Sequence, residues 1–264
     1  MAAGSGRKAG RSRGGRPGTG AGRSRGGRPG TGAGRRPGQR TDTRSGRRPD
    51  RIAGSASFGA DLARAVVIAL FLISVAVVFV LYFRPLYYLD IRLLHLETAS
   101  GKDAVTIRRN YDALCDYLFF WNRSALFLPD FPMSEHGRIH FADCKRIFDV
   151  VQILAIVTGI LTLAGAVSRR HTARCLRIAG ILAIVLPAAA GSLAFFQWDA
   201  LFETFHTILF RNDYWLFDPR YDPVILILPD RFFFQCAVVI LAVILAGGIL
   251  CLLSAHRKAG DLRP

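Results

Sequence analysis

The chain has no GxSxG elbow, no phosphate-binding loop and no dinucleotide-binding glycine pattern, so nothing in it signals a serine nucleophile or a nucleotide cofactor. It has no CxxC pair either. Its five cysteines are Cys115, Cys144, Cys175, Cys236 and Cys251, and only Cys115 and Cys144 could meet outside a membrane. Their spacing does not call for a bridge. Charge is missing from four long runs: residues 65–83, 150–167, 178–196 and 235–254 contain no Asp, Glu, Lys or Arg. That absence argues against an ion pump, whose path needs buried ionisable groups. Each run also approaches the roughly 20 residues that cross hydrocarbon.

The first sixty residues lack the opposite kind of side chain. They are Gly, Arg, Pro, Ser and Thr with almost no large apolar residue, and a chain of that composition has no core to build. Residues 11–22 and 23–34 repeat the same twelve letters, RSRGGRPGTGAG, which is low complexity rather than a solenoid unit. The segment carries fifteen Lys and Arg against Asp42 and Asp50, a surplus of 13 out of a total of +16, so the high charge belongs to the tail. Arg/Gly repeats bind RNA or anionic headgroups in some chains. Composition alone favours a plain solvated extension, or translation from a start upstream of the true one.

What is present is a membrane pattern. The fold expected is all-α: four transmembrane helices at the runs above, two extracytoplasmic loop regions containing short helices, and a disordered tail over 1–60. The membrane domain takes in 62–255, with a cytoplasmic C-terminus at 256–264. The first run is no cleaved signal, because its basic flank is too long and no small-residue site follows. Basic residues mark one side: the tail, the 168–177 connection with Arg169, Arg170, Arg174 and Arg177, and Arg257, Lys258 and Arg263 at the end. The positive-inside rule makes that side the cytoplasm, which leaves 84–149 and 197–234 outside.

The outer regions have internal order. Ile107, Tyr111, Leu114 and Leu118 recur at helical spacing, which predicts an amphipathic helix over 103–120. Residues 87–96 are aromatic and apolar and fit an extended or an interfacial segment. Ser134 reads as the N-cap of a helix that begins in water and runs into the second apolar run. His136, His140 and Asp143 share one face of that helix, and Asp199, Glu203 and His206 share one face of a second.

Of six histidines, His171 and His256 flank the cytoplasmic side, and His95 reads as a packing residue in an apolar run. His136, His140 and His206 remain, each near carboxylates at a membrane boundary. Three readings of this set are open. One is acid–base catalysis, with a carboxylate holding each imidazole. The second is a zinc site from His136, His140, Asp143 and His206, although Glu135 precedes His136 and the stretch is not HExxH. The third is helix-capping histidines without chemistry.

One further pattern runs through both outer regions. It reads Asn110-Tyr111-x-x-Leu114-x-x-Tyr117-Leu118, Ser134-Glu135-x-x-x-x-His140-Phe141-x-Asp143, Phe202-x-x-Phe205-His206-x-x-x-Phe210-x-Asn212-Asp213-x-Trp215, then Asp222 and Pro229-x-x-Phe232-Phe233. This resembles a family of four-span bacterial membrane proteins that includes the lipoprotein intramolecular transacylase. The resemblance implies transfer of an acyl chain from the sn-2 glyceryl ester of a diacylglyceryl lipoprotein to the α-amine of its N-terminal Cys, on the outer face of the cytoplasmic membrane. It implies His140 and His206 as the essential histidines, and the lipoprotein N-terminus and membrane phospholipid as partners. Ester to amide is downhill, so no nucleotide is needed, and the reading calls for no cofactor, no metal and no nucleic acid. Beside it, we expect His206 as base, oriented by Glu203 or Asp222, and His140 as acid, oriented by Asp143, with the two roles open to exchange. Arg138, Asn212 or Tyr117 would steady the oxyanion. The other classes that fit a multi-pass protein of this kind are a lipid- or protein-binding protein without chemistry and a zinc-dependent membrane hydrolase.

Overall fold

A computed structural model describes residues 49–260. Its helices in chain order are α1 (Pro49–Tyr82), α2 (Arg84–Leu93), α3 (Leu96–Ser100), α4 (Ala104–Tyr117), α5 (Glu135–Val167), α6 (Ala173–Phe196), α7 (Trp198–Leu209) and α8 (Asp230–Gly260), with a 3₁₀ turn at Pro223–Ile227. Among the described residues there is no strand. The duplicated Arg/Gly segment lies outside them, and α1 begins at Pro49, ahead of the boundary expected at residue 60.

Three helical segments, Ser57–Tyr82, Glu135–Val167 and Asp230–Gly260, are long and apolar enough to cross a membrane. Within α5 the charged residues stop at Asp149, so its uncharged part is 150–167 and its first four turns stand ahead of the apolar run. In the bundle, α1 lies against α5, α6 and α8, and α6 lies along α8. Small residues let those last two backbones approach. A Cβ at Gly180 would meet the Gly248 carbonyl at 2.8 Å, and one at Gly248 would meet the Gly180 carbonyl at 3.2 Å. Close backbone approach at small residues is how helices gain van der Waals contact where lipid offers no hydrophobic drive.

The segment 87–96 is helical rather than extended. Phe83 breaks off α1, and Pro85 starts α2, where its missing N–H costs nothing. His95 then takes a left-handed conformation (φ 54°) that divides α2 from α3, and Gly101 (φ 66°) closes α3. His95 is therefore an exposed turn residue and not the packing residue expected of it. The helix predicted over 103–120 is α4, capped by Asp103, whose carboxylate accepts the Thr106 N–H at 2.7 Å. Its residues Ile107, Tyr111 and Leu114 are buried.

The two long connections fold together. Tyr87 stacks on Tyr111 at 3.6 Å, and Phe232, at the start of α8, meets both rings edge-on at 5.1 and 5.9 Å. The Tyr87 hydroxyl donates to the Ile227 carbonyl at 2.7 Å. Leu128, Phe131, Phe141, Val224 and Leu228 complete the same core. All five cysteines are free.

Gln152 joins this unit to the bundle. Its Nε2 donates to the Leu118 carbonyl at 3.0 Å, and its Oε1 accepts from the Tyr82 hydroxyl at 2.6 Å and the Phe120 N–H at 3.3 Å. Gln152 is only 4% exposed, so an apolar replacement takes the acceptor from the Phe120 N–H and leaves the Tyr82 hydroxyl and the Leu118 carbonyl with only each other, at 3.2 Å. Gln152→Leu is expected to destabilise the protein by on the order of 2–3 kcal/mol, read as a lower thermal midpoint in detergent. An unchanged midpoint would show that the Gln152 bonds hold nothing together.

Candidate active site

The site is built where α5 begins. Ser134 caps the helix, its Oγ accepting the Gly137 N–H at 3.0 Å. Asp222, from the distant second connection, binds the same residue: Oδ1 accepts the Ser134 N–H and Oδ2 its hydroxyl, both at 2.7 Å. A Cβ at position 137 would overlap the Asp222 carboxylate, so this approach requires glycine there.

His140 lies on the second turn and is 7% exposed. Phe210 and Phe217 present their rings to it at 4.7 and 5.3 Å. Across from it α7 supplies His206, set among Phe202 at 4.2 Å, Trp215 at 4.8 Å and Phe210 at 5.7 Å. The two imidazoles face each other with centroids 6.1 Å apart.

The hydrogen bonds differ between the two rings. His206 Nδ1 lies 2.7 Å from the Phe202 carbonyl oxygen. A carbonyl only accepts, so neutral His206 carries its proton on Nδ1 and leaves a lone pair on Nε2. Burial lowers the pKa of His206, and the bond to Phe202 works against that. His140 stands ahead of the apolar run of α5. Burial pushes it down to about 4, helped by His206 and opposed by Asp143. It is therefore neutral at pH 7. Its Nε2 lies 3.4 Å from Cys144 Sγ, and its Nδ1 is buried with no hydrogen-bond partner.

The residues expected to support the pair are placed unevenly. Asp143 accepts from Arg146 at 2.7 Å and from Asn212 Nδ2 at 3.5 Å, so it acts on His140 by charge and ties the connection holding Asn212 to α5. Glu203 is exposed, and Asp222 is spent on Ser134; the group that orients His206 is the Phe202 carbonyl. Tyr117 is buried on α4 with the Lys145 ammonium over its ring at 5.4 Å. Arg138 is exposed and lines a separate cavity of about 360 Å³ formed with residues 126–133. At two residues from His140 it points to the far side of the helix. His136 is exposed and stacks on Tyr214 at 4.1 Å, away from the pair. Among the described residues no three of His, Cys, Asp and Glu converge to hold a metal ion, so the four-ligand zinc set read from the spacing is not assembled.

Two neighbouring neutral imidazoles, one with a free lone pair, can take up and return a proton. The family model of lipoprotein intramolecular transacylase matches residues 62–233. The chain belongs to this family. The solved structure of the membrane integral lipoprotein intramolecular transacylase from Bacillus cereus is 34% identical; the match covers 79% of this chain and 98% of that one, with a TM-score of 0.76. Two structures of the same transacylase, each with one histidine replaced, by arginine or by alanine, match at 34% and 33% identity. They cover 82% and 81% of this chain and 98% of theirs, each with a TM-score of 0.73. Among curated protein sequences none matches.

For this member of the transacylase family, the sequence reading passed over three site features. The Phe202 carbonyl has no signature, because every residue has one. Asp222 meets Ser134 across 88 positions. Cys144 sits one helical turn after His140, a spacing that was legible as a contact.

Proposed function

We propose that this membrane-integral chain is an acyltransferase that converts diacylglyceryl lipoprotein to the lyso form. The acyl chain leaves the sn-2 glyceryl oxygen for the α-amine of the N-terminal Cys of the same molecule. The observation that carries the mechanism is the fixed tautomer of His206, which leaves a lone pair on Nε2, in a ring whose centroid lies 6.1 Å from that of His140 within an aromatic pocket. The α-amine nitrogen attacks the ester carbonyl, and His206 Nε2 takes the proton the amine loses. The tetrahedral oxyanion is stabilised by an N–H of His140. The C–O bond to glycerol then breaks, and the proton on His206 Nε2 passes to the departing glyceryl oxygen. One base thus moves one proton from nitrogen to oxygen, and no acyl-enzyme forms.

The role of His140 changes from the one expected of it. A ring pushed down to about 4 carries no extra proton at pH 7, so it serves as a neutral hydrogen-bond donor rather than as an acid. Burial supports this, since a neutral donor in an apolar shell polarises a carbonyl without bringing a charge.

We place the chain in the bacterial cytoplasmic membrane with four spans, α6 being the fourth. Its 24 residues include no charge after Arg177, and it lies along α8. His140 and the basic 168–177 connection stand at opposite ends of α5. With that connection cytoplasmic, as the positive-inside rule requires, both termini are cytoplasmic and the site faces outward at the bilayer boundary. Acyl chains there stay in lipid while the headgroup reaches the histidines.

The test is mass spectrometry of the N-terminal peptide of a reporter lipoprotein in a host lacking its N-acylation enzyme. A peptide with one acyl on nitrogen and one on glycerol is expected with the unmutated protein and not with His140→Ala or His206→Ala. Unchanged diacylglyceryl peptide beside well-inserted protein rejects the activity.

The pH profile is a second test. The substrate amine has a pKa near 8 and must be neutral to attack. Log kcat/KM is therefore expected to rise with unit slope up to about pH 8. Protonation of His206 adds a second unit of slope, and because its pKa is lowered, the break falls below the ordinary 6.5. A break at or above 6.5 contradicts the buried base.

A further inference from the structure

We propose that Cys144 is a positioning residue that sets the tautomer of His140, its thiol donating to Nε2 so that the ring carries its proton on Nδ1. The inference rests on the reading of His140 as the donor in the reaction above. Three observations carry it. Cys144 Sγ and His140 Nε2 are 3.4 Å apart, one turn apart on α5. Nδ1 is buried with no partner, in a ring only 7% exposed. The neighbouring His206 already supplies an acceptor, Nε2, because its Nδ1 proton is committed to the Phe202 carbonyl.

The chemistry selects one arrangement. Burial, with Asp143 adding to it, pushes the thiol up to about 12, so the sulfur keeps its proton and donates. An imidazole lone pair is a strong acceptor, and thiol sulfur is a weak one. S–H to Nε2 is therefore favoured over Nε2–H to sulfur. The ring then presents Nδ1–H, the group with no protein partner. In the opposite tautomer both neighbouring rings would offer only a lone pair to substrate, with no N–H to hold a developing oxyanion. A buried polar atom left unpaired costs about 1–3 kcal/mol. That cost is removed when a substrate carbonyl accepts from Nδ1, which makes the unpaired donor a preorganised subsite.

The tautomer is read directly by long-range ¹H–¹⁵N spectra of the full-length chain, labelled at histidine and held in detergent at pH 7. The His140 signals are assigned by their loss in His140→Gln. The unmutated protein is expected to show His140 with protonated Nδ1 and bare Nε2. Cys144→Ala is expected to move it to a mixture or to the Nε2–H form, and to lower kcat about three- to tenfold with KM unchanged. Cys144→Ser, whose hydroxyl also donates, is expected to restore part of both. An Nε2–H ring in the unmutated protein, or an unmoved tautomer in Cys144→Ala, overturns the proposal. The spectra need no substrate. A thiol-set tautomer in a protein that makes no lyso-form lipoprotein would leave this inference standing and remove the functional one.

Discussion

His206→Ala is expected to lower lyso-form lipoprotein production about 10²- to 10⁴-fold, the range that a positioned general base supplies. The ring is half-buried among Phe202, Phe210 and Trp215, and its one hydrogen bond is to the carbonyl four residues back in its own helix. Removing it costs packing on one side of α7 and breaks no bond between elements. The variant should therefore insert and fold, and the loss should lie in the rate. It is checked by the time course of N-acylated reporter peptide, with thermal unfolding in detergent as the control for folding. His206→Gln should be as inactive, because an amide fills the space without supplying a base at neutral pH. Activity within tenfold of the unmutated protein in either variant would take the base role away from His206.

Asp222→Ala is expected to be the most damaging change away from the imidazoles. The carboxylate is 4% exposed and accepts two bonds from Ser134, at 2.7 Å each. Bonds to a buried charged acceptor are the stronger kind, so the loss should be on the order of 3 kcal/mol. Activity should fall as well, because these bonds fix the start of the helix that carries His140 six residues further on. Gly137→Ala is expected to act through the same contact from the other side, since the added methyl overlaps the Asp222 carboxylate. The two changes should then be strongly non-additive: with Asp222 already shortened to Ala, the methyl at 137 meets only the flexible Met133 side chain, at 3.0 Å. Thermal midpoints of the two single variants and the double variant decide it. Additive shifts would show that Gly137 and Asp222 do not share a contact.

How much of this was legible beforehand varies from residue to residue. Ser134 was readable as a cap, and Ile107, Tyr111 and Leu114 as one buried helix face, because capping and periodicity are settled within a few residues of chain. His140 and His206 were readable as a pair through the family pattern. The helical state of 87–96 was not. It depends on Pro85 starting a helix and on His95 adopting a left-handed turn, a conformation that a histidine only sometimes takes. Nor were the supporting roles, where proximity in sequence misled. Glu203 lies one turn from His206 and is exposed, while the Phe202 carbonyl does the orienting. His136 lies one turn from His140 and stacks instead on Tyr214.

The sequence by itself determined the helical class, the apolar runs and the residue types of the site, because burial in lipid and amphipathic spacing are sums over neighbouring residues. Tertiary structure alone decided that Asp222 serves the start of α5 rather than a histidine, and that both connections share one aromatic core. Those outcomes depend on which distant groups arrive within about 3 Å of one another. That distance is fixed by how Tyr87, Tyr111, Phe141 and Phe232 pack together, and no local property of the chain encodes it.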